Sequence, residues 1–217
     1  MAKGSRGGRR GGGGGNAQPV APTTPTTPVA PNQDLVDYLT RTQTVANSPE
    51  MAMKNTNPHY SESKDYQENC QRCVWAYELQ RRGYNVEALP TYKGDDLPRN
   101  GNWKGLSKNS SDWRNNEFIS GKNYKQEITN INNTMNNWGD GSRAIVRVVW
   151  KGGRTGHVFN IENHGGKIKA YDGQTGKNVD LNDYLSRTQR GYTFLLRTDN
   201  ADIDMSQVSR YVKLGGK

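Results

Sequence analysis

Both cysteines of this 217-residue chain stand three apart at the opening of its strongest helical signal, Asn69-Cys70-Gln71-Arg72-Cys73-Val74-Trp75-Ala76-Tyr77-Glu78-Leu79. Asn69 is a residue type that caps helices, because its side-chain oxygen can accept from backbone N–H groups one turn later. Val74, Tyr77 and Arg81 follow at helical spacing beside Trp75 and Leu79, and Gly83 stands where a left-handed C-cap belongs. The pattern predicts a helix from Cys70 with a thiol on its first turn. The positive end of the helix dipole favours thiolate over thiol there, the usual preparation for a nucleophile. A chain built this way has to fold so that a base and an orienting group arrive at one helix terminus.

Two cysteines are too few for a disulfide scaffold, and their spacing points to reactivity or a redox pair. Paired as a disulfide at a helix start they would be strained, reducible and inactive. The net charge is +9, of which Lys3, Arg6, Arg9 and Arg10 supply +4 within residues 1–33, where there is no acid. The remaining +5 makes the body mildly basic rather than a dedicated polyanion binder.

Three segments are expected. Residues 1–33 form a disordered Gly/Arg-rich arm and a Thr/Pro/Ala linker, too poor in apolar surface to fold. Residues 34–54 form a short helical connector, with an amphipathic helix over Asp34–Ala46 ended before Pro49. Residues 55–217 form the enzyme domain. Arg6, Arg9 and Arg10 are the groups through which the arm can contact nucleic acid. No apolar run reaches membrane-spanning length and the N-terminus lacks the apolar block of a signal peptide. No membrane partner is expected, and the protein is read as cytoplasmic or delivered by a non-classical route.

After Gly83 a short strand covers Asn85–Leu89, and Thr91–Gly121 is polar and irregular, with Trp103, Trp113 and Phe118 as its anchors. Tyr124–Trp138 reads as a second helix with Ile128, Ile131, Met135 and Trp138 on one face. Strands follow: Ala144–Trp150, apolar enough for a central strand; His157–Glu162; Lys167–Asp172; and Tyr192–Arg197, with a short helix near Leu181–Leu185. The sum is α+β, a helical N-terminal half packed on an antiparallel sheet.

If His157–Glu162 and Lys167–Asp172 make a hairpin with its turn centred between His164 and Gly165, His157 faces Asp172 directly, with Cβ atoms roughly 5 Å apart. A carboxylate beside an imidazole fixes its tautomer and stabilises the imidazolium, the third-group role in nucleophile–base–orienter catalysis. Gly156 leaves room beside the histidine. The competing readings are weaker. A strand histidine is often structural, and a zinc site would need His157 with Asp172 or His59 to complete the Cys-x-x-Cys. No second Cys-x-x-Cys exists, no His-x-Glu precedes the first, and the approach Ser61–Asn69 is too polar for a redox motif after a buried strand. No metal or cofactor is expected.

The segments NCQRCVWAYELQRRGYNVEA, GHVFNIEN, YDGQTG and LLRTDN, in this order, resemble the papain-fold toxin family of bacterial polymorphic toxins and its phage-encoded relatives. The resemblance runs from about Asn57 to Lys213. It implies a papain-like fold with a Cys–His–Asp triad and glutamine deamidation of a protein substrate. The triad falls on a cysteine of the first motif, His157 and Asp172, with Gln174 at the family's recurrent glutamine and Asn69 in support. Gly173 stands where proline is common, which should loosen that turn. Papain-like proteases use the second cysteine of a Cys-x-x-Cys-Trp with a glutamine six residues upstream, and Gln67 lies six before Cys73, which favours Cys73. The helix-terminus argument favours Cys70, and Cys70 is the nucleophile preferred here. A papain-like protease or transglutaminase shares the chemistry up to the acyl-enzyme. An alternative of a different class is a virion or structural protein whose basic arm holds nucleic acid. The toxin reading brings an immunity protein as partner, and the virion reading brings phage capsid proteins.

Overall fold

The computed structural model describes residues 32–43, 45–92, 116–153 and 155–216. Arg6, Arg9 and Arg10, and the expected anchors Trp103 and Trp113, lie outside them. Helix α1 (Gln33–Thr40) starts behind Asn32, whose side chain accepts from the N–H groups of Asp34 and Leu35, and it buries Leu35 and Leu39. The helix expected over Asp34–Ala46 therefore stops at Thr40. Pro49 begins a second helix, α2 (Pro49–Thr56), behind a Ser48 cap. A proline has no N–H to lose in a helix's first turn, so it opens α2 rather than merely ending α1. Leu35 and Leu39 join the core around the cysteine helix, and Ala52 and Met53 pack with Tyr77 and Tyr171.

A short α3 (Lys64–Gln67) precedes α4 (Cys70–Arg81). Gly83, at φ 93°, ends α4 as expected: the Tyr84 N–H reaches the Leu79 carbonyl and the Gly83 N–H reaches the Gln80 carbonyl. Every residue of α4 from Arg72 to Gln80 is buried. A helix enclosed on all sides needs internal partners for its polar residues, and the charged residues Glu78 and Arg81 of α4 have them. Glu78 takes Arg82 and Arg143, while Tyr77 and Arg81 share Glu162.

Two antiparallel sheets complete the fold. Strand β1 (Val86–Ala88) pairs with the terminal β8 (Val212–Leu214). The larger sheet runs in the order β2-β7-β3-β4-β5-β6, built from β2 (Asn116–Ile119), β3 (Arg143–Val149), β4 (Gly156–His164), β5 (Lys167–Asp172), β6 (Lys177–Val179) and β7 (Thr193–Arg197). The apolar run at 144–150 is interior to the sheet, as its composition predicts. The sheet separates two cores. On one face Ile145, Val158 and Leu196 meet Val74, Trp75 and Leu79 of α4. On the other Val146, Phe159, Ile161 and Leu195 meet Ile131 and Met135 of α5 (Tyr124–Trp138) and Leu181 and Leu185 of α6 (Leu181–Ser186). Phe118, expected as a loop anchor, lies instead on edge strand β2 with its ring 53% exposed and 5.1 Å from that of Phe194. A last short helix, α7 (Met205–Val208), precedes β8. Among the described residues no helix is long and apolar enough to cross a membrane.

Candidate active site

The β4–β5 hairpin turns on Gly165 and Gly166, both at positive φ, 59° and 88°, as a two-residue turn between twisted strands requires. His164 pairs with Lys167, and Asn160 with Tyr171. The register thus differs by two residues from the one expected, and His157 is not directly opposite Asp172. A slip of two leaves every side chain on its own face, whereas a slip of one would have separated the pair. His157 and Asp172 remain diagonal neighbours, with His157 Nε2 3.2 Å from Asp172 Oδ2. The β4–β5 pairing stops at Asn160–Tyr171, so His157 lies beyond the end of that ladder. Cys70 is close enough to contribute to the raised value of His157, so thiol and imidazole face the same site.

Both carboxylate oxygens of Asp172 are engaged: Oδ1 accepts from the Gln174 N–H at 3.0 Å, and Oδ2 from the Tyr184 hydroxyl at 2.9 Å as well as from His157. Burial alone would raise the Asp172 carboxyl, but the bonds from His157, Tyr184 and the Gln174 N–H hold it below the usual carboxylate range. Burial would likewise lower His157; its bond to Asp172 and its interactions with Cys70 and the Asp172 charge outweigh this and raise it to about 10. The imidazole is 8% exposed. It stacks on Trp150 at 5.9 Å, and Tyr184 meets it edge-on at 6.1 Å. Trp150 and Tyr184 were not picked out from the sequence; nothing in their spacing links them to a histidine until the end of β3 and α6 converge on it.

Both cysteines are free, and their surroundings differ. Cys70 is the first residue of α4 and is partly exposed. Cys73 is 1% exposed, and burial pushes its thiol well above the ordinary range, with Cys70 and Asp172 nearby adding to the effect. Its Sγ donates to Asn69 Oδ1 at 3.2 Å. That contact overturns the expected cap. The Asn69 side chain accepts no backbone N–H of α4; its amide is spent on Cys73, Asn57 and the Leu89 carbonyl, and the helix begins on the Asn69 backbone carbonyl. Gln67 is exposed, bonding the Tyr60 carbonyl, and His59 is held by Glu62 and Glu87, away from the cysteines. Gln174 is buried, and its carbonyl accepts from Asn57.

Gly173 is packed rather than loose. A Cβ there would lie 2.8 Å from Cγ2 of Thr56 and 3.2 Å from its Cβ, and Thr56 at the end of α2 is fully buried. The Thr56 methyl leaves no room for a side chain at this position. Gly173→Ala should therefore destabilise the protein by about 1–3 kcal/mol, the usual penalty of overpacking. Thr56→Ser deletes the offending methyl and keeps the hydroxyl bond to the Ala52 carbonyl. In a double-mutant cycle followed by thermal melting it should return much of the loss; strictly additive effects would show that the clash lies elsewhere.

These features together define a papain-like α+β fold with a thiol at a helix start and an imidazole bonded to a carboxylate. The family described as papain fold toxin 1, glutamine deamidase, matches residues 68–177, half of the chain, and the protein belongs to it. No curated protein and no solved structure matches the chain.

Proposed function

We propose that the protein hydrolyses the side-chain amide of a glutamine in a protein substrate, with Cys70 as nucleophile, His157 as acid and base, and Asp172 as orienter. The observation that carries this reading is the buried imidazole of His157, bonded to Asp172 at 3.2 Å and raised in part by its interaction with Cys70. With the proton already on His157, the Cys70 sulfur attacks the amide carbon. The first turn of α4 leaves the N–H groups of Cys70 and Gln71 without intrahelical acceptors, and these can face the oxyanion as it forms. His157 then protonates the departing ammonia, leaving a thioester. Water, deprotonated by His157, hydrolyses it to glutamate and regenerates the thiol, so the balance is glutamine plus water to glutamate plus ammonia.

The experiment is to incubate wild type and Cys70→Ala with a cell lysate and compare peptides by mass spectrometry. Deamidation adds about one mass unit and one negative charge at a glutamine, with the chain intact, as expected for hydrolysis through a thioester. Such conversion confined to the wild type supports the reading. New chain termini at unmodified glutamines would replace it with proteolysis, and joined chains with transglutamination, since all three chemistries share the acyl-enzyme.

A further inference from the structure

Asn57, the residue that closes α2, is 6% exposed, and its side chain touches both ends of the site. Nδ2 donates to the Gln174 carbonyl at 2.8 Å and to the Tyr66 carbonyl at 2.9 Å, with Asn69 Oδ1 a third acceptor at 3.3 Å. Oδ1 accepts from Asn69 Nδ2 at 3.3 Å. Carbonyl oxygens surround the nitrogen and a donor faces the oxygen, so the reverse orientation of the amide would set oxygen against oxygen. From Gln174 the connection continues through its N–H to Asp172 Oδ1. From Asn69 it continues through the backbone carbonyl on which α4 begins, directly before Cys70.

We propose that Asn57 is a positioning residue that holds the Cys70 end of α4 and the Asp172 turn at a fixed separation, so that His157, held by Asp172, stays in reach of Cys70. The inference rests on Cys70, His157 and Asp172 being the reacting groups and goes further, to a residue outside the matched stretch 68–177. The nucleophile and the acid come from different elements on either side of one imidazole. Displacement by about 1 Å at such a site can cost on the order of a hundredfold in rate. A buried amide with all its acceptors satisfied gives the separation a rigid definition that packing alone does not.

The test uses the full chain and a small neutral probe, iodoacetamide, so it does not depend on knowing the protein substrate. The thiolate is the form that is alkylated, and an imidazolium neighbour favours it. Cys70 alkylation is measured from about pH 5 to 10 in wild type, Asn57→Ala and Asn57→Ser, with the His157 ring titrated by NMR in the same samples, a range chosen to span ordinary and raised histidine values. Asn57→Ala is expected to slow alkylation at neutral pH by roughly tenfold. It should also lower the His157 midpoint by about one unit or more while the circular dichroism spectrum and a cooperative melt persist. Asn57→Ser, which keeps a hydroxyl donor, is expected to recover part of both. A lowered Tm with wild-type alkylation profile and His157 midpoint would make Asn57 structural only and overturn the proposal. If Asn57→Ala does not fold, Asn57→Ser decides: a displaced profile supports the proposal and a wild-type profile overturns it. A wild-type Cys70 that reacts no faster than a free thiol, with His157 titrating at its ordinary value, removes the triad itself and this proposal with it.

Discussion

Cys70→Ala is expected to abolish conversion of glutamine to glutamate, by roughly ten-thousandfold or more, the scale on which loss of a covalent nucleophile acts. His157→Ala should do the same, and Asp172→Asn should fall nearly as far, because an amide at that position cannot hold the imidazolium. Cys73→Ala, by contrast, should keep activity within about tenfold. It removes one buried thiol and its bond to Asn69, an interaction worth about 1 kcal/mol. The two cysteines sit three residues apart on one helix, yet only Cys70 has both access and a basic neighbour. Iodoacetamide labelling followed by peptide mapping reads the same difference without a substrate. An active Cys70→Ala together with an inactive Cys73→Ala would reverse the assignment.

The second large effect is on stability, at Glu78. This carboxylate is fully buried in the middle of α4 and receives Arg143 at 2.8 and 2.9 Å, Arg82 at 2.8 Å and the Thr198 hydroxyl at 3.0 Å. Glu78→Gln leaves two part-buried guanidiniums facing a neutral group and should cost about 3–5 kcal/mol, typical of breaking a buried pair. Burial works to raise the Glu78 carboxyl, but Arg143 and Arg82 override it and bring it down from the ordinary 4.5 to about 2. A carboxylate held lower in the folded than in the unfolded state stabilises the fold fully above pH 4.5. That contribution, about 3 kcal/mol, is lost as pH falls from 4.5 toward 2. Urea unfolding from pH 7 downward should show the wild-type advantage over Glu78→Gln shrinking through that window. Parallel curves would mean that Glu78 is not the titrating group.

The sequence made the long, periodic elements legible. Tyr124–Trp138 is helical to the residue because Asn123 caps it and Ile131 and Met135 must be buried together, and Lys167–Asp172 is bounded by a turn and a charge pattern with one reading. Short elements gave no such signal. Strand β2 exists because β7 offers it an edge, and α2 because Tyr77 and Tyr171 give Ala52 and Met53 a place to bury; neither cause is local. The contact of His157 with Asp172 is kept despite a register read two residues off, since strand faces depend on parity and not on the exact partner. Asn69 shows the opposite case. Its residue type fits a cap, but Cys73 and Asn57 compete for the same amide from inside the fold and win it. Asn57 and Tyr184 were out of reach for the same reason, since each acts on a residue more than ten positions away.

The place of β7 in the large sheet bears on how much of the chain has to fold together. The matched stretch 68–177 carries Cys70, His157 and Asp172, yet β7, at residues 193–197, lies inside the sheet between β2 and β3. A chain trimmed to the matched stretch would open a gap in the middle of the sheet, exposing Ala144, Val146 and Ile145 along a bare edge of β3, and would also lack the α2 residue that packs on Gly173. The stretch by which the family is recognised is therefore shorter than the unit that has to fold.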